Sequence, residues 1–474
     1  MADVAANESF PVVLSPVESY FWRAEEQDRG YRCAALVKLD GCTEAEPLAV
    51  ALREIQRRHP KLRAAIVEGS DYRLRYHIAC PAPPIPFEIR DFSGPEMPWR
   101  DTTREMLAAP FPDQGPYAAV TVLRNRSLAC SEVILVGSHA FVDGMSALVL
   151  LSDLLAAYAK AEAEISTVED PALPLISAPR ALSAGSWRQH FRVLRRFRAL
   201  RKIRQVMPGV MLPHDPSTPP LSQWMHWGFS PEDTLRIVRR CRREQVSVHC
   251  LLLASVFCSV RGLLGTSGRS FRFHSPFNVR TQLQGPDRPV QLQDLGCFMS
   301  NMNGLFPGDL EGDVWEVARY AQKDIESFKA MSGPSFGYNI ASFFYNLTNL
   351  GRQLRLPAEW LSPREERVSL LATNYGVAPL QSAYGSLRTR ACTLMFKNDS
   401  VGAHLVAEAL VLGQELNVGF AASGLTASAW ESLHTEVWGY LSTAGAASAV
   451  QVAAAGGEGS LNTKRPRSTR PTNV

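Results

Sequence analysis

The residues with the clearest chemical potential are His139-Ala140-Phe141-Val142-Asp143-Gly144. A neutral imidazole can remove a proton from an incoming hydroxyl or amine, typically a contribution of about 10²- to 10⁴-fold. Asp143, one helical turn further on, can accept a hydrogen bond or pair with an arginine, and Gly144 permits a tight turn that a bulky residue resists. The same histidine would serve equally as a core residue satisfied by a backbone carbonyl, so the spacing alone leaves both readings open. A second pattern, Gly333-Pro334-Ser335-Phe336-Gly337, has the form of a serine-hydrolase elbow, with Asp399 and His434 following in the required order. An elbow needs a strand before its serine. Here a helical pattern ends just before Met331 and Pro334 abuts the serine, so the segment reads as a Gly/Pro loop. No phosphate-cradling glycine motif occurs, and the ten histidines are too dispersed for a metal site.

His139 needs a scaffold, and the neighbouring sequence supplies one. Residues 128–136 are nearly all apolar, as in a central buried strand, and 145–159 carry Leu148, Leu151 and Leu155 on one helical face. Strand, tight turn and helix together deliver the histidine to the end of a sheet. Upstream, Ser15-Pro16-Val17-Glu18 and Thr43-Glu44-Ala45-Glu46 read as capping boxes that open helices. Residues 31–39 read as a strand, 62–67 with 72–78 as a hairpin, and 118–123 as the partner of 128–136. Downstream, helices are predicted at 230–244, 246–264, 314–329 and 427–441. Strands are predicted at 270–274, 369–373, 393–396, 405–412 and 416–421, with another after Gly296-Cys297-Phe298.

At 474 residues, with 46% hydrophobic and 20% charged side chains, the chain is long enough for two domains or lobes and is globular in composition. Its net charge of +4 is unevenly spread. Residues 188–204 hold eight cations and no acid, and with the basic end 456–474 they carry +11, which leaves −7 for everything else. That balance excludes a generally basic nucleic-acid binder. Nine scattered cysteines without a C-x-x-C pair argue against a disulfide framework or zinc ribbon. Residues 1–10 lack a secretory pattern and the longest apolar run, 246–260, is too short to span a bilayer, so the expectation is a cytoplasmic protein. The basic segment 187–207 interleaves Phe191, Leu194, Phe197, Leu200 and Ile203 with its cations. It reads as a solvated face docked by its apolar stripe, or as a contact for anionic lipid at a membrane periphery, an acidic carrier protein or CoA phosphates. The end beyond 444 is expected to be disordered.

Ser138-His139-Ala140-Phe141-Val142-Asp143-Gly144 resembles the His-His-x-x-x-Asp-Gly motif of the condensation-domain superfamily, which includes polyketide-associated acyltransferases, wax ester synthases and, more distantly, chloramphenicol acetyltransferase. Three further segments are similar in order and spacing. Arg58-His59-Pro60-Lys61-Leu62-Arg63 resembles an N-terminal Arg-His-x-x-Leu-Arg element. Pro276-Phe277-Asn278-Val279-Arg280 with Leu295-Gly296-Cys297-Phe298 resembles an Asn-x-Arg segment and its Gly-x-Phe. Thr373-Asn374-Tyr375-Gly376 with Tyr384-Gly385 resembles a Ser-Asn-x-Gly and Tyr-Gly stretch.

The resemblance implies an α/β (α+β sandwich) fold: two chloramphenicol acetyltransferase-like lobes forming a V, with a tunnel between them. It places the lobes at 1–180 and 221–443, with a linker at 181–220 and a tail at 444–474. It implies His139 as general base, Asp143 as a structural residue paired with Arg280, and Ser138, Asn278, Thr373 and Asn374 as tunnel candidates. No bound cofactor or metal is implied. A CoA or phosphopantetheine thioester, presented as acyl-CoA or on an acyl carrier protein, would be co-substrate to a small-molecule alcohol or amine, with the enzyme free-standing and monomeric. Ser138 departs from the family's first histidine, which weighs slightly against peptide-bond formation and leaves acyl transfer intact, and a free-standing enzyme of this kind favours ester formation. An amide-forming condensation enzyme and an inactive carrier-protein binding module are the alternatives.

Overall fold

The apolar run ahead of His139 becomes the buried strand Cys130–Ser138, the third-last member of a six-stranded sheet. Its neighbours are Arg32–Asp40 and Ala118–Asn125, both antiparallel to it. Side chains alternate across this sheet as the pleat requires. Cys33, Ala35, Val37, Val133 and Leu135 join the core formed with the helices Ala45–Arg58 and Gly144–Glu162. Ala34, Leu36, Ile134 and Val136 face the opposite way. The computed structural model describes residues 12–26, 31–79, 81–94, 98–164, 171–176, 180–181, 209–218, 222–265, 269–285, 287–332, 369–397, 405–445 and 449–452, with four positions between 191 and 199. The rest of the basic segment 187–207, the loop 333–337 and Asp399 lie outside them.

The second lobe is a seven-stranded sheet in the order Met299–Pro307, Ser270–Asn278, Leu370–Val377, Leu405–Leu412, Glu415–Ala422, Gln223–Phe229 and Ala449–Val452. Helices Pro231–Arg243, Val248–Leu264, Val314–Ser332 and Ala427–Gly445 carry its core. Trp224, Leu371, Val406 and Ala421 from this sheet meet Ala34, Leu36, Ile134, Val136 and Met395 from the first, so the two sheets share a third apolar layer.

The sheets redraw the expected domain limits. Ala383–Tyr384 and Leu387–Phe396 pair into the first lobe, where Leu387–Phe396 lies antiparallel to Arg32–Asp40. The span 221–443 is therefore not one closed lobe, because a strand order is set by pairing across space and not by chain position. Ala449–Val452 forms an edge strand on Gln223–Phe229, which corrects the expectation of disorder from 444 onward. The first capping box is present, with Ser15 and Glu18 satisfying each other's backbone N–H groups. The second is not: the helix starts at Ala45 behind Glu44, which makes no cap and instead pairs with Arg124 and Arg126. Phe87–Asp91, Trp99–Ala108 and Gln223–Phe229 were not expected. The first of these is a largely solvated edge strand without the alternation that marks a half-buried one.

Candidate active site

His139 is the first residue past its strand, and its N–H donates to the Tyr31 carbonyl at 2.8 Å. The imidazole is 7% exposed. It stacks on Phe21, with ring centroids 4.2 Å apart and planes within 1°, and Phe396 of Leu387–Phe396, two strands away in the sheet, lies at 5.8 Å. Burial holds its pKa below the ordinary histidine value, while the Asp143 charge and the carbonyls of His139 and Val142 pull weakly the other way. The ring is thus neutral at pH 7. Nδ1 is turned into the protein, 3.8 Å from Cys297 Sγ, which leaves Nε2 for the cavity that the ring lines. Burial pushes the Cys297 thiol well up, so it stays protonated and is a poor nucleophile.

Asp143 sits one turn away as the N-cap of Gly144–Glu162, accepting from Ser146 N–H at 2.7 Å. Arg280 reaches across from the second lobe and donates to both carboxylate oxygens, at 2.8 and 2.9 Å, and Phe298 N–H adds a bond of 3.0 Å. Burial opposes this charge, yet Arg280 and the two backbone donors hold the carboxyl below the usual aspartate range. The Ser146 hydroxyl accepts from Arg280 at 2.6 Å and from Gly296 N–H at 3.1 Å, and donates to the Gly296 carbonyl at 2.9 Å. These bonds latch residues 280 and 296–298 onto the start of the first lobe's helix. Lys61, from the Arg58–Arg63 segment, supports the latch from below: it pairs with Glu18 and lies over the rings of Tyr76 and Phe298, at 5.0 and 5.6 Å.

Gly144 is required for a different reason from the one its sequence suggests. It is not among the glycines with left-handed backbone, so the turn itself does not demand it. A Cβ there would lie 2.4 Å from Tyr375 Cε1 and 2.7 Å from its hydroxyl. Glycine lets the second lobe's tyrosine approach the helix start.

Between the lobes lies a cavity of about 180 Å³. Near the imidazole its wall is aromatic and apolar, from Phe21, Tyr31, Met145, Met299 and Phe396. The second lobe contributes polar side chains, His274, Asn278, Asn301, Thr373 and Asn374, and the first lobe adds Lys397, just past Phe396. Asn278, Thr373 and Asn374 thus stand where the tunnel was expected. Ser138 does not. It is fully buried and its hydroxyl donates to Glu25, which is paired with Arg32 at 2.9 Å, on the far side of the strand end from the cavity. Alternation along a strand turns neighbouring side chains apart, and this separates Ser138 from His139. Phe21, Cys297, Tyr375 and Lys397 were missed as site residues; Cys297 and Tyr375 lie within segments already singled out, whereas Phe21 and Lys397 carry no spacing signal. Among the described residues no cluster could hold a metal ion, and His434 of the hydrolase pattern is occupied with Glu431 at 2.9 Å.

No family model matches the sequence and no curated protein sequence matches it significantly. Solved structures do match, over nearly the whole chain. The first condensation domain of the calcium-dependent antibiotic synthetase superposes with a TM-score of 0.66 at 17% identity, covering 93% of this chain and 97% of that one. A trichothecene 15-O-acetyltransferase from Fusarium sporotrichioides gives 0.66 at 11% identity, covering 91% and 94%. Polyketide synthase associated protein 5 from Mycobacterium tuberculosis gives 0.61 at 15% identity, covering 92% and 99%. The chain therefore has the two-lobed α/β fold of the condensation domains and chloramphenicol acetyltransferase-like acyltransferases.

Proposed function

We propose that the protein is an acyltransferase that moves an acyl group from a CoA or carrier-protein thioester to a hydroxyl acceptor, with His139 as general base. The observation that carries this reading is a neutral, buried imidazole that lines an interlobe cavity with Nδ1 near Cys297 Sγ, while Asp143 is committed to Arg280 and the N–H groups of Ser146 and Phe298. In the step proposed, Nε2 takes the hydroxyl proton as the oxygen attacks the thioester carbonyl. The C–O bond forms, the C–S bond breaks, and the imidazolium returns its proton to the leaving sulfur. No acyl-enzyme is involved. The stack on Phe21 holds the ring and the backbone bond to the Tyr31 carbonyl holds the residue that carries it, so little reorganisation accompanies the transfer.

Purified protein assayed with acyl thioesters and paired alcohol and amine acceptors tests the reading. His139→Ala is expected to lower kcat/KM by about 10²- to 10⁴-fold, with the alcohol preferred to the matching amine. Since the imidazole titrates below the ordinary histidine range, kcat/KM should be flat at neutral pH and fall in acid with a midpoint below about 6.5. Turnover unchanged in His139→Ala would sink the assignment. Carrier-protein binding without turnover on any thioester would favour the idle binding module.

A further inference from the structure

The polar wall of the cavity offers several donors, alongside the Asn301 Oδ1, a buried acceptor with no partner among the described residues. Asn278 accepts Arg280 N–H on its Oδ1 at 3.0 Å, and Asn374 accepts Gly376 N–H on its Oδ1 at 2.9 Å. Only an amide oxygen can accept these bonds, so in both side chains the orientation is settled and the NH₂ group is the end left to offer. Neither NH₂ has a partner among the described residues. Lys397 joins them in the lining and makes no ion pair among the described residues. The other charges lining the cavity are Asp143 and Arg280, which neutralise each other. With His139 neutral, the described lining carries one uncompensated positive charge and two spare amide donors.

We infer that the cavity takes a substrate bearing a carboxylate, with Lys397 as the ion-pair partner and Asn278 and Asn374 as supporting donors. This rests on the acyl-transfer reading for the reaction and adds the charge of what reacts. The phosphates of CoA lie a full pantetheine arm from its sulfur. An anion that shares about 180 Å³ with His139 therefore belongs to the acyl group or to the acceptor rather than to the carrier. A cationic amine acceptor meets the opposite condition, the like charge of Lys397.

Two matched pairs locate the carboxylate: 3-hydroxybenzoate against its methyl ester as acceptors, and succinyl-CoA against pentanoyl-CoA as donors. Binding is measured by calorimetry on His139→Ala, which keeps the readout independent of turnover, and KM is measured on the active protein. The charged member of one pair should bind about 10- to 100-fold more tightly than its neutral partner, the range for a hydrogen bond to a charged group. Lys397→Met should abolish that preference and Lys397→Arg should retain it. The inference is overturned if neither pair shows a preference, or if the preference survives in Lys397→Met. It is also overturned if Lys397→Met weakens pentanoyl-CoA as much as succinyl-CoA, since the anion would then be on the carrier. A protein that prefers the carboxylate but never turns over removes the acyltransferase reading and keeps this one. An active enzyme blind to the charge does the reverse.

Discussion

Asp143 and Glu408 are both buried carboxyl groups that tie one lobe to the other, and they solve the same electrostatic problem in opposite ways. Asp143 reaches from the first lobe to Arg280 and Phe298 of the second; its oxygens take four donors and it stays charged. Glu408, on Leu405–Leu412, reaches back to Thr393 and Leu394 of the strand that completes the first lobe's sheet, at 2.5 and 2.6 Å through Oε1 alone. Among the described residues no cation faces it and Oε2 has no partner, and burial pushes its pKa up to about 8 against those two hydrogen bonds. Equal burial therefore does not dictate protonation; the presence of an arginine does. Burial pushes the Tyr375 hydroxyl's pKa well up, and Glu408 and Asp143 act in the same direction once ionised.

Removing the arginine should break this contrast most forcefully. Arg280→Met leaves Asp143 buried without its counter-charge and should cost about 3–5 kcal/mol in chemical denaturation; a loss below about 1 kcal/mol would mean that the latch is not what joins the lobes. The two acids should also respond to pH with opposite sign. Asp143 titrates below its unfolded value, so its contribution is present above the ordinary aspartate range and lost as pH falls through the folded value. Glu408 titrates above its unfolded value: its contribution is full below about 4.5 and lost as pH rises towards about 8. Glu408→Gln should remove a slope of up to about 1.4 kcal/mol per pH unit in that window, measured as the difference in stability from the wild type.

Smaller effects sharpen the picture. Gly144→Ala drives a methyl into Tyr375 and should cost about 1–3 kcal/mol despite alanine's better helix propensity, with Tyr375→Leu recovering most of it. No recovery would place the strain elsewhere. Smallest is Ser138→Ala. Glu25 keeps Arg32, so a loss of about 1 kcal/mol is expected, with kcat/KM within twofold of the wild type. A large kinetic defect would return Ser138 to the cavity wall.

The contrast also marks which features a sequence can disclose. His139, Asp143 and Gly144 were legible because one strand, one loop and one helix start place them together, and local patterning reports such units faithfully. Arg280 was legible only through the resemblance, since 137 residues separate it from Asp143. Glu408 gave no signal. It sits in Leu405-Val406-Ala407-Glu408-Ala409-Leu410, where a single acid in an apolar strand looks the same whether it faces solvent or a second lobe. Ser138 misled for a related reason, because adjacency in a motif is not adjacency in space when the backbone is extended.

By itself, then, the sequence determined most of the helices and strands, the buried strand that leads into His139, and the charge imbalance between body and basic attachments. These follow from periodicity, capping and composition, which act over a few residues. Only the tertiary structure decided that Leu387–Phe396 completes the first lobe, that glycine at 144 serves Tyr375, and that Asp143 is charged while Glu408 is not. Each depends on which distant side chain arrives at a given place, and burial multiplies the consequence, because in a medium that screens poorly the identity of one neighbour sets the charge of the next.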